Sequence, residues 1–392
     1  MDGPLLADGQ TRPDDGGTAR SRSHNHRVAP PLTQTIRFCT TRDGVRIAFA
    51  STGQGAPLVR AAHFLTHLDG DLGSPVWRPW IDELSRERTL IRYDGRGCGL
   101  SDRTDAPLAL DAWLADLEAV VEAAGLDRFA LFGCSQGAAV AVAYAARHPE
   151  RVTALAIIGG YVRGLLHRQP TPQQLKEAKL LLDLVEIGWG QDSEAFRQVF
   201  TSLFIPGGTP EQTRWFNELE RLSCSPEHAA RTIAAFGSLD VSDEARRVRC
   251  PVLVMHARGD LRVPFDEGRH IAGLIEGARF VPIDSRNHVL LQQEPAFAGS
   301  FATVRRFLAD ADVVDAPLSP LFTRLSPGER ALLELLAQGR DNLQIAAHLG
   351  LSEKTVRNKV SAVFGKLEVA TRAQAIVLAR EAGYGKGKPP PG

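Results

Sequence analysis

The stretch Phe129-Ala-Leu-Phe-Gly133-Cys134-Ser135-Gln136-Gly137-Ala-Ala-Val140 constrains the fold more than any other part of the chain. An apolar run ends in a G-x-S-x-G turn and passes directly into a run of small residues. A turn of this kind needs a strand entering it and a helix leaving it. The serine then sits on a strained bend, with its hydroxyl at the carboxyl end of a sheet. Small residues on both sides let strand and helix approach closely. The start of the helix also offers free N–H groups to a developing oxyanion. A bare G-x-S-x-G recurs by chance, so the context carries the weight.

That context is an alternation of apolar runs and helical patterns. Residues 58–62, 89–93, 129–132, 152–158, 252–256 and 279–283 read as strands. Residues 77–84, 112–124, 138–147, 267–275 and 295–308 read as helices. Ahead of them, Thr35 to Phe49 reads as two strands joined at Asp43-Gly44. The alternation predicts an open, mostly parallel sheet with helices on both faces. Residues 160–247 interrupt it with four helical patterns, which places a helical lid after the sixth strand. The lid carries Trp189, Phe196, Phe200, Phe204, Trp215 and Phe216. At helical spacing these are mainly packing residues, and some are expected to line an apolar pocket.

Two further residues complete a chemical set. Cys250-Pro-Val-Leu-Val-Met-His-Ala-Arg-Gly-Asp260 places an acid just past a strand. Val281-Pro-Ile-Asp-Ser-Arg-Asn-His288 places a histidine just past the next. The chain order serine, acid, histidine is the one this kind of fold uses. Ser135 is expected to be the nucleophile and His288 its general base. Asp260 would orient the imidazole and stabilise its charged form.

The C-terminal end has a different pattern. Ser326, Pro327 and Glu329 form a helix start with a capping box. A second short helix begins at Asn342. Gly350-Leu351-Ser352 makes a tight turn, and Ser352 caps a third helix running from Glu353 to Leu367. Two helices joined by a short glycine-containing turn are the helix-turn-helix signature. Val356, Val360, Val363 and Leu367 form one stripe of the third helix. Lys354, Arg357, Asn358, Ser361 and Gly365 fall opposite. That face carries donors for base edges and phosphates, with few bulky groups to block approach. Thr355, Lys359 and Lys366 flank it and suit phosphate contacts. Arg372, at the start of a fourth helix, could also hold phosphate.

Residues 35–310 resemble the α/β-hydrolase superfamily. Besides the elbow, Tyr93-Asp94-Gly95-Arg96-Gly97-Cys98-Gly99-Leu100-Ser101-Asp102 is similar to its loop after the fourth strand, and Arg258-Gly259-Asp260 to its acid loop. The resemblance implies an oxyanion hole built from the N–H groups of Leu65 and Gln136. The chain departs from the family at Phe64, where glycine is frequent, and that bears on the geometry of the hole. Residues 322–384 resemble the LuxR-type helix-turn-helix family through Leu325-Ser326, Glu329, Gln344-Ile345-Ala346, Leu351-Ser352, Thr355-Val356, Lys366-Leu367 and Arg372. This second resemblance implies homodimeric binding to a two-fold operator in double-stranded DNA, with the fourth helix contributing to the dimer.

Composition sets bounds on these expectations. The chain has 392 residues, too many for one ordinary domain. Lys plus Arg and Asp plus Glu number 46 each, so the whole molecule is not a polyanion binder. From Leu325 onward ten basic residues face six acidic ones, an excess of four. Five scattered cysteines without a C-x-x-C argue for a reducing compartment and against a zinc site. No apolar run approaches the roughly 20 residues needed to span a bilayer. Neither a phosphate-binding G-x-x-x-x-G-K-[ST] nor a secretory signal is legible, and no metal or cofactor is expected.

The predicted architecture is an α/β-hydrolase sandwich with a helical lid, followed by a small all-α helix-turn-helix domain. Residues 1–34 read as a disordered tail, 311–321 as a linker and 385–392 as a second tail. The expected function is a cytoplasmic bacterial transcription regulator, nucleoid-associated when bound to DNA. Its hydrolase-like domain would sense an ester, a lactone or a carboxylate. The alternative is a working serine hydrolase of esters or lactones that also binds DNA. A third reading, in which the hydrolase-like domain serves only dimerisation, is disfavoured by the intact Ser135, Asp260 and His288.

Overall fold

The computed structural model describes residues 33–189, 194–315 and 320–385. The chain opens with three strands, β1 (Thr35–Thr40), β2 (Arg46–Thr52) and β3 (Ala56–Arg60), then helices α1 (Leu68–Leu72) and α2 (Trp77–Leu84). Then come β4 (Arg88–Tyr93), α3 (Leu110–Ala123), β5 (Phe129–Cys134), α4 (Gly137–Arg147) and β6 (Val152–Ile158). The insertion holds α5 (Pro172–Gly188), α6 (Glu194–Phe204), α7 (Pro210–Ser223), α8 (Pro226–Gly237) and the single turn α9 (Ser242–Ala245). The sheet resumes with β7 (Val252–Ala257), α10 (Phe265–Leu274), β8 (Arg279–Ile283) and α11 (Pro295–Asp315). One turn, α12 (Pro320–Thr323), precedes α13 (Pro327–Ala337), α14 (Asn342–Leu349), α15 (Glu353–Lys366) and α16 (Arg372–Glu381).

The eight strands form one sheet in the order β1-β2-β4-β3-β5-β6-β7-β8. β1 pairs antiparallel with β2, and β2 antiparallel with β4. From β4 to β8 every pairing is parallel. The central strands are buried along their whole length, as the covered faces of a parallel sheet require. Helices α3 and α4 cover one face, where Leu117, Val120, Ala141 and Val142 are fully buried with Leu131, Leu155 and Val254. Burying one such branched side chain is worth about 1.5–3 kcal/mol.

A separate apolar cluster holds α13 to α16. Leu332, Leu333, Leu336, Ile345, Val356 and Val363 are fully buried there. The helix starts follow the sequence closely. Ser326, Asp341 and Thr371 each accept from the backbone three residues on, with Glu329, Gln344 and Gln374 closing the capping boxes. Gly350 takes the left-handed conformation that ends α14 (φ 65°), and Ser352 caps α15.

The ends of the elements differ from the expected ones in places. The span read as a linker from residue 311 is helical as far as Asp315. Ala311 is buried and Asp312 accepts a 2.5 Å hydrogen bond from Arg88, so packing extends the helix. Residues 316–319 lie outside the described ones, as do residues 1–32 and 386–392 of the two expected tails. Gln34 is placed within the fold, donating to Leu68 O at 3.1 Å. Gly385 donates to Glu334 Oε2 at 2.7 Å, so the final helix is followed by an anchored residue.

Candidate active site and nucleic-acid interface

Ser135 stands at the end of β5 with φ 51°, a left-handed conformation that costs a non-glycine residue about 1–2 kcal/mol. The bend is held by its neighbours. Ser135 N–H donates to Ile158 O at 3.3 Å, and Ala138 N–H returns to Ser135 O at 3.1 Å. A β-carbon on Gly133 would lie 2.7 Å from the Ala138 Cα, and one on Gly137 would lie 2.8 Å from Ala61 O. Both glycines are therefore required for strand, helix and the end of β3 to close on one another.

The neighbouring strand β3 leads into the loop carrying His63, Phe64 and Leu65. Leu65 shares the strained geometry, with φ 65°. The loop is tied down at both ends. Leu68 N–H donates to Asp94 Oδ2 at 3.1 Å, which also accepts from Leu100 N at 2.8 Å. His63 stacks on Trp77 at 4.5 Å and contacts Arg60. Burial and the Arg60 charge hold its imidazole well below the usual pKa, so it stays neutral. Gln136 N–H, at the open start of α4, and Leu65 N–H thus follow adjacent strands.

On the other side of the elbow, His288 Nδ1–H donates to Asp260 Oδ2 at 2.7 Å. Asp260 Oδ1 accepts from the backbone of Arg262 and Val263, both at 2.8 Å. His256 Nε2 lies 3.0 Å from Val263 O and 3.4 Å from Asp260 Oδ2. Burial opposes the charge on Asp260, but His288, His256 and the Val263 amide outweigh it, and the carboxyl stays well below its usual range. With Nδ1 committed, His288 presents Nε2 as a basic atom. Nε2 is buried and has no hydrogen-bond partner among the described residues, so none joins it to the Ser135 hydroxyl. The imidazole and the elbow nevertheless converge: β-carbons on Gly159 and Gly160 would lie 3.3 Å from the His288 ring and 3.7 Å from Ser135 O.

The lid closes over this pair. Phe204 O accepts from His288 N at 2.9 Å and Val289 N at 3.2 Å, and Gly207 N–H donates to Asn287 Oδ1 at 2.8 Å. The Phe204 ring stands edge-on to His288 at 5.4 Å. Phe200 packs on Phe204 and Trp189, and Phe64 packs on Trp189 at 5.5 Å and Phe200 at 6.0 Å. A small cavity of about 40 Å³ lies beyond Phe64, bordered by Cys98, Trp113, His228 and Thr232. Ser135, Asp260 and His288 do not line it, so Phe64 stands at its border.

In the C-terminal cluster, Val356, Val360, Val363 and Leu367 are buried, while Lys354, Arg357, Asn358 and Ser361 are exposed. Arg357 pairs with Glu353 one turn earlier at 2.9 Å. Thr355 and Lys359 are half-buried at the flanks. One face of α15 is thus core and the other is polar and open.

The family model described as alpha/beta hydrolase fold matches residues 68–211. The model of bacterial regulatory proteins of the luxR family matches residues 323–379. The chain joins an α/β-hydrolase domain to a LuxR-family domain. Among curated proteins it is 24% identical over 277 residues to pyrrolizixenacetamide deacetylase of Xenorhabdus hominickii, covering 68% of this chain and 96% of that one. It is 25% identical over 293 residues to 2-hydroxy-6-oxo-2,4-heptadienoate hydrolase of Pseudomonas putida, covering 69% and 95%. Solved structures with the same fold include an esterase from Exiguobacterium antarcticum (TM-score 0.60, 20% identity, 70% of this chain and 100% of that chain). An enol-lactonase from Burkholderia xenovorans gives a TM-score of 0.57 at 20% identity with the same coverages.

Within the LuxR-family domain, two residues expected at phosphates are engaged internally. Lys366 Nζ donates to Glu329 Oε2 at 2.6 Å. Arg372 donates to Asn342 Oδ1 at 3.0 Å and to Arg340 O. Both stitch helices together, a role that their positions along the chain do not reveal. Within the hydrolase domain, the sequence reading left out His256. Its only signal was a histidine inside an apolar strand four residues before Asp260. Among the described residues no cluster of three or more His, Cys, Asp or Glu side chains is placed to hold a metal, and no helix is long and apolar enough to cross a membrane.

Proposed function

We propose that the chain is a ligand-responsive DNA-binding regulator acting in the bacterial cytoplasm as a homodimer on a two-fold operator. The hydrolase domain binds an ester, a lactone or a carboxylate beneath the lid, and binding biases the LuxR-family domain. Ser135, His288 and the N–H groups of Leu65 and Gln136 receive the polar end of the ligand, with Asp260 setting the imidazole. The exposed face of α15 reads base edges through Arg357 and Asn358, helped by Lys354 and Ser361. Thr355 and Lys359 hold phosphates, while Lys366 and Arg372, expected there from the sequence, brace the helices that present them. The observation that carries this reading is the buried, partnerless His288 Nε2 beneath an aromatic lid, in a chain that also presents an open polar helix face. A polar atom buried without a partner is costly, and a ligand group would satisfy it.

A second reading, that of an active serine hydrolase, is favoured by the strained Ser135 backbone. One experiment separates the two. Purified protein and its Ser135→Ala variant are offered p-nitrophenyl butyrate and γ-butyrolactone, with thermal shift recorded in parallel. A thermal shift without turnover supports the sensor. Turnover lost in the variant supports the hydrolase. Neither turnover nor shift with any ester, lactone or carboxylate of a broad panel sinks both.

A further inference from the structure

Cys98 lies in the loop after β4, and Cys224 lies between lid helices α7 and α8. The peptide units that carry them are joined: Gly99 N–H donates to Ser223 O at 2.7 Å. Arg103 bridges the same two segments, donating to Gly97 O at 2.6 Å and Ser223 O at 2.8 Å. A disulfide spans a Cα separation of about 4.4–6.8 Å, and this backbone bridge sets the two cysteines on directly hydrogen-bonded segments. Both are free thiols and both are buried. Cys98 borders the small cavity beside Phe64, which has room for a water-sized molecule next to that thiol.

We propose that Cys98 and Cys224 are a redox pair that peroxide converts to a disulfide, stapling the lid to the sheet. The Cys224 thiolate attacks one peroxide oxygen, breaking the O–O bond and releasing hydroxide, which takes up a proton to become water. The Cys224 sulfenic acid then condenses with the Cys98 thiol. The S–S bond forms, and the sulfenic oxygen leaves as water. The two sulfurs are oxidised by two electrons in all, and peroxide is reduced to two waters. The side chains suit these roles. Each thiol perturbs the other. The neighbouring Cys98 lowers Cys224 against the effect of burial, whereas Cys224 and burial raise Cys98 well above the usual thiol value. The Arg103 charge favours thiolate at both. In the reduced protein, a lid packed over His288 must lift to admit a ligand. In the oxidised protein it is held at its α7–α8 turn, which blocks entry under any reading of the hydrolase domain.

The test treats the full chain with hydrogen peroxide and counts thiols under denaturing conditions. The count is expected to fall from five to three and to return to five with dithiothreitol. Peptide mapping should find the peptides of Cys98 and Cys224 linked. The oxidised form should melt several degrees higher and resist proteolysis within residues 160–247. Cys98→Ser should leave a sulfenic acid at Cys224 that reacts with dimedone. The proposal is overturned if the pair stays reduced, if it is oxidised as separate sulfinic acids, or if another pair forms. Linked peptides with unchanged lid proteolysis would overturn the stapling.

Discussion

Replacing Phe64 with alanine tests whether the aromatic packing over the site is closed in the free protein. Phe64 is 5% exposed and meets Trp189 and Phe200 at 5.5 and 6.0 Å. A buried Phe→Ala change costs about 3–5 kcal/mol. Phe64 already borders a cavity, so part of its surface has no packing partner to lose, and the lower end, about 3 kcal/mol, applies. For a domain of this size each kcal/mol moves Tm by about 2–4 °C, which gives a fall of about 6–12 °C. Scanning calorimetry reads the Tm, and the same variant should admit a small aromatic ester that wild type excludes, read as thermal shift or turnover. A fall below about 2 °C would refute the reasoning, because it would mean that the side chain is already solvated and the lid already open.

Gly133→Ala should destabilise by about 1–3 kcal/mol through overpacking, because the added carbon meets the Ala138 backbone; chemical denaturation reads the loss. Arg357→Ala with Asn358→Ala should abolish sequence-specific DNA retardation and leave Tm unchanged, since both side chains are exposed; unchanged retardation would sink the α15 assignment. Asp43, bonded to Arg96 and Thr41, is held at a pKa of about 2 against an ordinary 3.8. A carboxyl lowered on folding stabilises the protein above its unfolded pKa and loses that contribution as pH falls through its folded one. Asp43→Asn should therefore be less stable than wild type at pH 7, with the gap closing between about pH 4 and pH 2 in acid melts.

Much of the architecture is legible locally. The G-x-S-x-G turn, the Asp43-Gly44 hairpin and the Ser326 capping box are short-range patterns. Backbone sterics and hydrogen bonding decide them within a few residues, and each appears where its residues stand. The valine stripe of α15 is equally local, because a 3.6-residue period alone decides which face is buried. The order of Ser135, Asp260 and His288 along the chain likewise names a set.

Only the tertiary structure decides what those residues meet. His256 approaches Asp260 because β7 turns sharply into α10, and no spacing rule encodes that turn. Lys366 and Arg372 look like free cations in sequence, yet they bind Glu329 and Asn342, which lie 37 and 30 residues earlier. Phe64 reaches Trp189 and Phe200 only once the lid folds back over the sheet. Cys98 and Cys224 become neighbours through the same return of the chain. Elements follow from the sequence because their determinants lie within a turn or two. Long-range contacts depend on how whole elements pack, and packing is a property of three dimensions.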